Sequence, residues 1–231
     1  MRCQLNADNQ ILPDHTEQPL QLFLETFQKY DLTREERQKY LGLMLTDVGR
    51  LSDTISRILS LARLESRSYQ AHFQPLDLVQ LVRDSLAQNA ALFQRAAIRI
   101  HPPPGGACRQ PVDRALFDML VVNLLMNAMK HNESPRPEVD VRFASTPRHW
   151  LIHFEDNGVG IDRHEVRKIF RKFYQAGRTE GRWDRGSGLG LHLVQNIARL
   201  HRGRVSARGR ENGQGSVLTV ALPRWRVERP S

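Results

Sequence analysis

A chain of 231 residues with 40% hydrophobic and 26% charged residues has the balance of a soluble globular protein, as one large domain or two small ones. No stretch approaches the roughly 18 apolar residues that cross a bilayer. Met1-Arg2-Cys3-Gln4-Leu5-Asn6 lacks the apolar run of a secretory signal, and Cys3 and Cys108 fit no metal-ligand or redox spacing. These features together predict a cytoplasmic protein without direct membrane insertion. The net charge of +9 comes from scattered rather than blocked arginines. RNA-binding aromatics and a zinc-finger spacing are both missing, which argues against nucleic acid as a partner.

In chain order, residues 1–12 read as a tail and 13–68 as a helical hairpin. Leu20, Phe23, Phe27 and Tyr30 share one side of a short helix. After Asp31-Leu32, Thr33-Arg34-Glu35-Glu36 is a capping box that starts a longer one. Leu41, Met44, Val48, Leu51, Ile55, Ile58 and Ala62 then recur at alternating steps of three and four, a heptad seam. One antiparallel hairpin leaves this seam half covered, whereas two form a four-helix bundle, so a homodimer is expected. The alternative is that the seam packs on a second domain.

A linker is read at 69–75, within the polar stretch from Ser66 to Pro75, and a second domain at 76–225, with 226–231 as a tail. Leu76 to Phe93 reads as a helix and Ile98 to His101 as a strand. A loop follows at Pro102-Pro103-Pro104-Gly105-Gly106, then a helix from Arg114 to Lys130. Strands at Val139–Ala144 and Leu151–Glu155 pair around Thr146-Pro147-Arg148. A helix runs from Leu191 to Leu200, and Val205–Arg208 and Val217–Leu222 form a hairpin across Asn212-Gly213. The fold class predicted is α+β: an N-terminal helical hairpin followed by a two-layer sandwich of helices on an antiparallel sheet.

Three short segments carry chemistry. Asn123, Asn127 and Lys130 project from one helix face while Leu120, Leu124, Leu125 and Ala128 occupy the other. Such a stripe is either a solvated face or a seat for a metal–triphosphate, since amide oxygens can ligate Mg²⁺ and an ammonium can neutralise phosphate. Asp156 ends a strand before Asn157-Gly158-Val159-Gly160. The segment reads as an ordinary turn, or as a buried carboxylate accepting from an adenine amine with glycines that admit the ring. Gly186-Ser187-Gly188-Leu189-Gly190-Leu191 opens a helix, whose first amides favour phosphate; otherwise it is a flexible loop. Its spacing is not the dinucleotide fingerprint, and no GxxxxGK[ST] occurs. Phe170, Phe173 and Tyr174 read by themselves as packing residues.

In this order the segments resemble the sensor histidine kinases of two-component systems, which share the ATP-binding fold of gyrase and Hsp90. The resemblance covers nearly everything after Leu41. Asn123, Asn127, Lys130 and His131 match the N box, where the position of Asn127 is the usual Mg²⁺ ligand and Asn123 lies close by as a possible second. Glu155 to Ile161 match the G1 box, in which the position of Asp156 binds adenine, with Gly158, Gly160 and Ile161 beside it. Ile169 to Tyr174 match the F box, adding Phe173 and Tyr174. Gly186, Ser187, Gly188, Leu189, Gly190 and Leu191 are the G2 box without change. The resemblance implies ATP and Mg²⁺ as cofactors, a homodimer, and a response-regulator receiver domain as partner. Where the F box commonly continues with Arg, this chain has Gln175. Arg178, Arg182 and Arg185 stand near enough in sequence to substitute.

A histidine kinase also needs a neutral imidazole poised as nucleophile. The family pattern is His-Glu-x-x-[Thr/Asn]-Pro-Leu, and the nearest segment here is His15-Thr16-Glu17-Gln18-Pro19-Leu20. His15 precedes Pro19 by four residues rather than five, and alignment on Pro19-Leu20 puts Asp14 at the acceptor position. Two readings stand: His15 is the acceptor with Glu17 as its acid/base partner, or the acceptor is lost. The second leaves an ATP-binding, dimerising module that regulates a partner by binding. A serine-phosphorylating anti-sigma kinase shares the ATP fold but has no need of the heptad hairpin.

Overall fold

The structure is a computed structural model and describes residues 4–5, 11–12, 19–30, 32–66, 69–94, 96–175, 187–210 and 213–224. The chain divides into two compact units, one containing Met1–Ser56 and the other beginning at Arg57. The first holds two short antiparallel strands that sequence reading left as a tail, β1 (Gln4–Leu5) and β2 (Ile11–Leu12), with Gln4 opposite Leu12. Helix α1 (Pro19–Lys29) follows. It begins on a proline, whose missing N–H is no loss in a first turn, and carries Lys29 in its last turn, where the helix dipole favours a cation.

Helix α2 (Arg34–Glu65) is one element of 32 residues. The capping box that predicts its start is present. Thr33 N donates to Glu36 Oε2 at 2.9 Å, and Glu36 N donates to Thr33 Oγ1 at 3.3 Å. Thr33 Oγ1 also donates to Glu36 Oε2 at 2.8 Å, and this bond, with the one from Thr33 N, holds the Glu36 carboxyl below its ordinary pKa. Phe27 of α1 meets Tyr40 of α2 edge to face, 6.1 Å between centroids, which closes the hairpin. Along α2, Leu41, Val48, Leu51 and Ile55 are each at least half exposed.

In the second unit a five-stranded sheet forms one layer. Its strands are β4 (Ala97–His101), β6 (Glu138–Ser145), β7 (His149–Asp156), β8 (Arg204–Gly209) and β9 (Ser216–Pro223), in the order β4-β6-β7-β9-β8. Only β4 and β6 run parallel. Alternation sets the faces: Val139, Val141 and Phe143 of β6, with Ile152 and Phe154 of β7, enter the core. Asp140 and Arg142 lie between these core positions. Arg99 Nε and His101 Nε2 reach Asp140 at 2.8 and 2.7 Å, and the guanidinium holds that carboxyl far below its ordinary range.

The other layer comprises α3 (Leu78–Gln88), α5 (Arg114–Lys130) and α6 (Gly190–Leu200), with the four-residue α4 (Ala90–Phe93) beside them. Leu78 and Val82 from α3, Phe117, Leu120, Leu124 and Leu125 from α5, and Leu193 and Ile197 from α6 are fully buried. The helix predicted over Leu76–Phe93 is in fact three elements. Asp77 is extended (φ −83°, ψ 113°) and its carboxylate accepts from Val79 N at 3.0 Å, so the helix starts at Leu78. Gln74 to Asp77 instead form β3, antiparallel to β5 (Arg109–Val112), a strand whose proline and single apolar residue hid it. Asn89 leaves helical geometry (φ −113°, ψ 24°) and its side chain donates to Ser85 O, splitting α3 from α4.

Candidate functional site

The site begins where β7 ends. Asp156 is buried, and its Oδ1 accepts from Gly158 N at 2.9 Å and Ser216 N at 3.2 Å. Its Oδ2 accepts from Ser216 Oγ at 2.5 Å. An ionised carboxylate offers about four acceptor positions. Three are filled, so Oδ2 keeps one for an incoming donor such as an exocyclic amine.

Around Asp156 the backbone is stitched to the loop after α5. Val159 N donates to His131 O at 3.0 Å, and Asn157 Oδ1 accepts from Asn132 Nδ2 and Glu138 N at 2.7 and 2.8 Å. A Cβ on Gly158 would stand 2.3 Å from His131 O, so only glycine lets the two segments meet. Gly215 plays the matching part on the other side. With φ +90° and a would-be Cβ 1.9 Å from Asp156 O, it seats Ser216 against the carboxylate. Neither Gly215 nor Ser216 is among the predicted site residues; both fall between the strands predicted at Val205–Arg208 and Val217–Leu222. The signal was present in Gly213-Gln214-Gly215-Ser216, where two positive-φ glycines precede a hydroxyl.

Helix α5 forms the second wall. Its apolar face is buried as predicted at Leu120, Leu124, Leu125 and Ala128. Asn123 is also buried rather than solvated. Its Nδ2 donates to Met119 O at 2.7 Å and its Oδ1 accepts from Arg57 Nη1 at 2.6 Å. Asn127 is half-buried one turn on, Lys130 is exposed in the last turn, and His131 caps the helix. The amide oxygens and the ammonium suit Mg²⁺ carried on a polyphosphate, since that ion takes one or two protein oxygens and completes its shell with phosphate and water.

The third wall is the start of α6. Leu189 is buried at the N-cap position without a side-chain cap, and Leu193 N returns to its carbonyl at 2.9 Å. A Cβ built on Gly190 would lie 3.1 Å from Asn123 Oδ1, so α6 begins directly beside the N-box helix. Gly188 O accepts from Phe173 N at 3.1 Å, tying the G2 segment to the F box. Phe173 adopts φ 62° with its ring largely exposed, whereas Phe170 is buried. Tyr174 OH donates to Glu165 Oε1 at 3.1 Å, and Ile161 packs against the core. Gly160 faces Gly215, while Ser187 and Leu191 flank the start of α6. His15, Glu17, Gly186, Arg178, Arg182 and Arg185 lie outside the described residues.

Residues 112–226 match the family described as histidine kinase-, DNA gyrase B-, and HSP90-like ATPases. Among curated relatives, the sensor-like histidine kinase SenX3 of Mycobacterium tuberculosis is 25% identical over 82% of this chain and 46% of its own length. The sensor protein kinase PmrB of Pseudomonas aeruginosa is 31% identical over 77% of this chain and 36% of its own length. This chain therefore spans less than half of the curated relatives it matches first. Histidine kinase ThkA, solved in complex with the response regulator protein TrrA, shares the fold at TM-score 0.71 and 18% identity. That match covers 91% of this chain and 59% of ThkA. Acinetobacter baumannii histidine kinase AdeS matches at TM-score 0.67 and 16% identity, over 89% and 94%. Among the described residues no helix is long and apolar enough to cross a membrane.

Proposed function

This chain belongs, through residues 112–226, to the histidine kinase-, DNA gyrase B- and HSP90-like ATPases, and from that premise we propose that it is the ATP-dependent core of a sensor histidine kinase. The observation that carries the proposal is the convergence of three walls. Buried Asp156 with Ser216, the Asn123–Asn127 face of α5, and the G2 start of α6 stand together in the second unit. Asp156 selects adenine, Asn127 would hold Mg²⁺ with Asn123 beside it as a possible second ligand, and Lys130 with the first amides of α6 faces the phosphates. The metal, when bound, neutralises charge on the phosphates during transfer.

The imidazole of His15 attacks the γ-phosphorus, the bond to the β,γ-bridging oxygen breaks, and ADP leaves. Glu17 takes the imidazole proton. The phosphoryl group then passes to an aspartate of a response-regulator receiver domain. In this reading residues 13–68 are the dimerising hairpin, whose turns from Arg57 onward pack with the nucleotide unit, 69–75 lead on from it and 76–225 are the catalytic domain, acting as a cytoplasmic homodimer. Incubation with γ-labelled ATP tests the reading: label that is lost in acid and kept in base is expected, and acid-stable label overturns it. The sequence departure at His15 favours one second reading, a module that binds ATP and regulates a partner by binding; it accounts for ATP binding without any label.

A further inference from the structure

The last turns of α2 belong to the nucleotide unit. Leu61 and Leu64 are buried in its core, and Glu65 stands 2.8 Å from Lys172 Nζ and 3.7 Å from His192 Nε2. At the head of this segment Arg57 is half-buried and donates through Nη1 to Asn123 Oδ1 at 2.6 Å. Among the described residues no carboxylate partners that guanidinium. The Asn123 amide is not free to turn away, because its Nδ2 is committed to Met119 O. Nor does the guanidinium merely brush the site. A Cβ on Gly190 would lie 3.0 Å from Arg57 Nη1 and 3.1 Å from Asn123 Oδ1, so all three meet at one point.

One amide oxygen thus faces two claimants. A magnesium ion on Asn123 Oδ1 would stand within a few ångströms of a guanidinium bonded to the same atom, and in a half-buried site that repulsion is poorly screened. Conversely, the hydrogen bond is charge-assisted and is lost if the oxygen turns to a metal. We infer that Arg57 and Mg²⁺ compete for Asn123, so that docking of the 57–65 segment opposes loading of the metal–nucleotide. This inference rests on the ATP-site reading above. The opposition is reciprocal: metal–nucleotide releases Arg57, and tighter docking of the segment expels the metal. Arg57 therefore acts as a positioning residue whose bond to Asn123 reports on α2.

The test is calorimetric titration of the whole chain with a non-hydrolysable ATP analogue, once with Mg²⁺ and once with a chelator. Arg57→Gln should tighten binding roughly fivefold or more with Mg²⁺ and by less than about twofold without it. Glu65→Gln, which loosens the segment through Lys172 and touches neither asparagine, should shift binding in the same direction by a smaller factor. Circular dichroism confirms that each variant is folded, and Glu65→Gln keeps the test decisive if Arg57→Gln is not. Weaker binding in Arg57→Gln makes Arg57 a phosphate ligand and overturns the inference. Unchanged binding also overturns it, as does equal tightening with and without metal. Asp156→Asn run alongside separates the two levels: full affinity in that variant sinks the ATP-site reading itself.

Discussion

Ser216 Oγ donates to Asp156 Oδ2 at 2.5 Å, joining the start of β9 to the end of β7 across 60 residues of sequence. The bond aims the carboxylate and leaves its remaining lone pair for a ligand. Asp156→Asn replaces that acceptor with an amide whose NH₂ meets donors, and should cost about 1–3 kcal/mol of nucleotide binding. Ser216→Ala keeps the acceptor but loosens it, costing about 1 kcal/mol, roughly fivefold in Kd. Titration with a non-hydrolysable analogue measures both. A larger loss in Ser216→Ala than in Asp156→Asn would reverse their assigned roles.

Asn127→Ala should abolish Mg²⁺-dependent labelling while leaving α5 intact, since the residue is half-buried and its backbone carbonyl, which accepts from His131 N at 3.2 Å, is retained. The expected signature is a steep loss of turnover that no longer responds to added Mg²⁺. Near-normal labelling in a folded Asn127→Ala protein would place the metal elsewhere.

Much of this site is legible in residue order because its walls are local. An acidic Gly turn and a Gly-led helix each announce their backbone geometry within a few residues. The Thr33 capping box is legible for the same reason. What sequence reading missed was long-range. Nothing near Ser216 names Asp156 as its partner, and nothing near Arg57 points to Asn123. A polar stripe at helical spacing suggests a solvated face, yet Asn123 is buried because a cation from α2 satisfies it. Strand β5 was invisible because Arg109-Gln110-Pro111-Val112 does not alternate, and only pairing with β3 makes it a strand.

His201 couples the far ends of two site helices and should confer pH sensitivity. Its Nε2 accepts from Asp113 N at 3.1 Å and its Nδ1 bonds Ile197 O at 2.8 Å, an arrangement only the neutral ring satisfies. Asp113 in turn caps α5 through Leu116 N and accepts from His72 N. Burial, the leading cause, holds the ring below its ordinary pKa of 6.5. The unfolded chain therefore binds the proton more readily, so this contribution is complete above that value and lost as pH falls below it. Urea midpoints should decline from about pH 7 to about pH 5, and His201→Gln should flatten that limb while lowering stability at neutral pH. An identical slope in the variant would assign the effect to another group.

The half-exposed seam of α2 predicts self-association. Leu41, Val48, Leu51 and Ile55 expose about half of each side chain, more contiguous apolar surface than a lone helix tolerates in water. Light scattering at micromolar concentration should give twice the chain mass. Val48→Asp, which would bury an unpaired charge in the bundle, should return the monomer or unfold the hairpin. A wild-type monomer at that concentration contradicts the dimer.

The acceptor is the most exacting prediction, since in-line transfer needs the attacking nitrogen held near 3–3.5 Å from phosphorus. His15 precedes by four residues the Pro19 with which α1 begins, and Glu17 stands two residues away to take its proton. A one-residue slip relative to the family pattern turns a helical side chain by about 100°, from 3.6 residues per turn. The Pro19-Leu20 pair and Glu17 keep His15 as the acceptor in this reading. His15→Gln should therefore remove all acid-labile label while leaving nucleotide affinity unchanged. Glu17→Gln should slow labelling without abolishing it, because the proton leaving the imidazole on attack loses its acceptor. Label that survives in His15→Gln would move the acceptor to another histidine, and a wild type that binds ATP without ever labelling would establish the binding module.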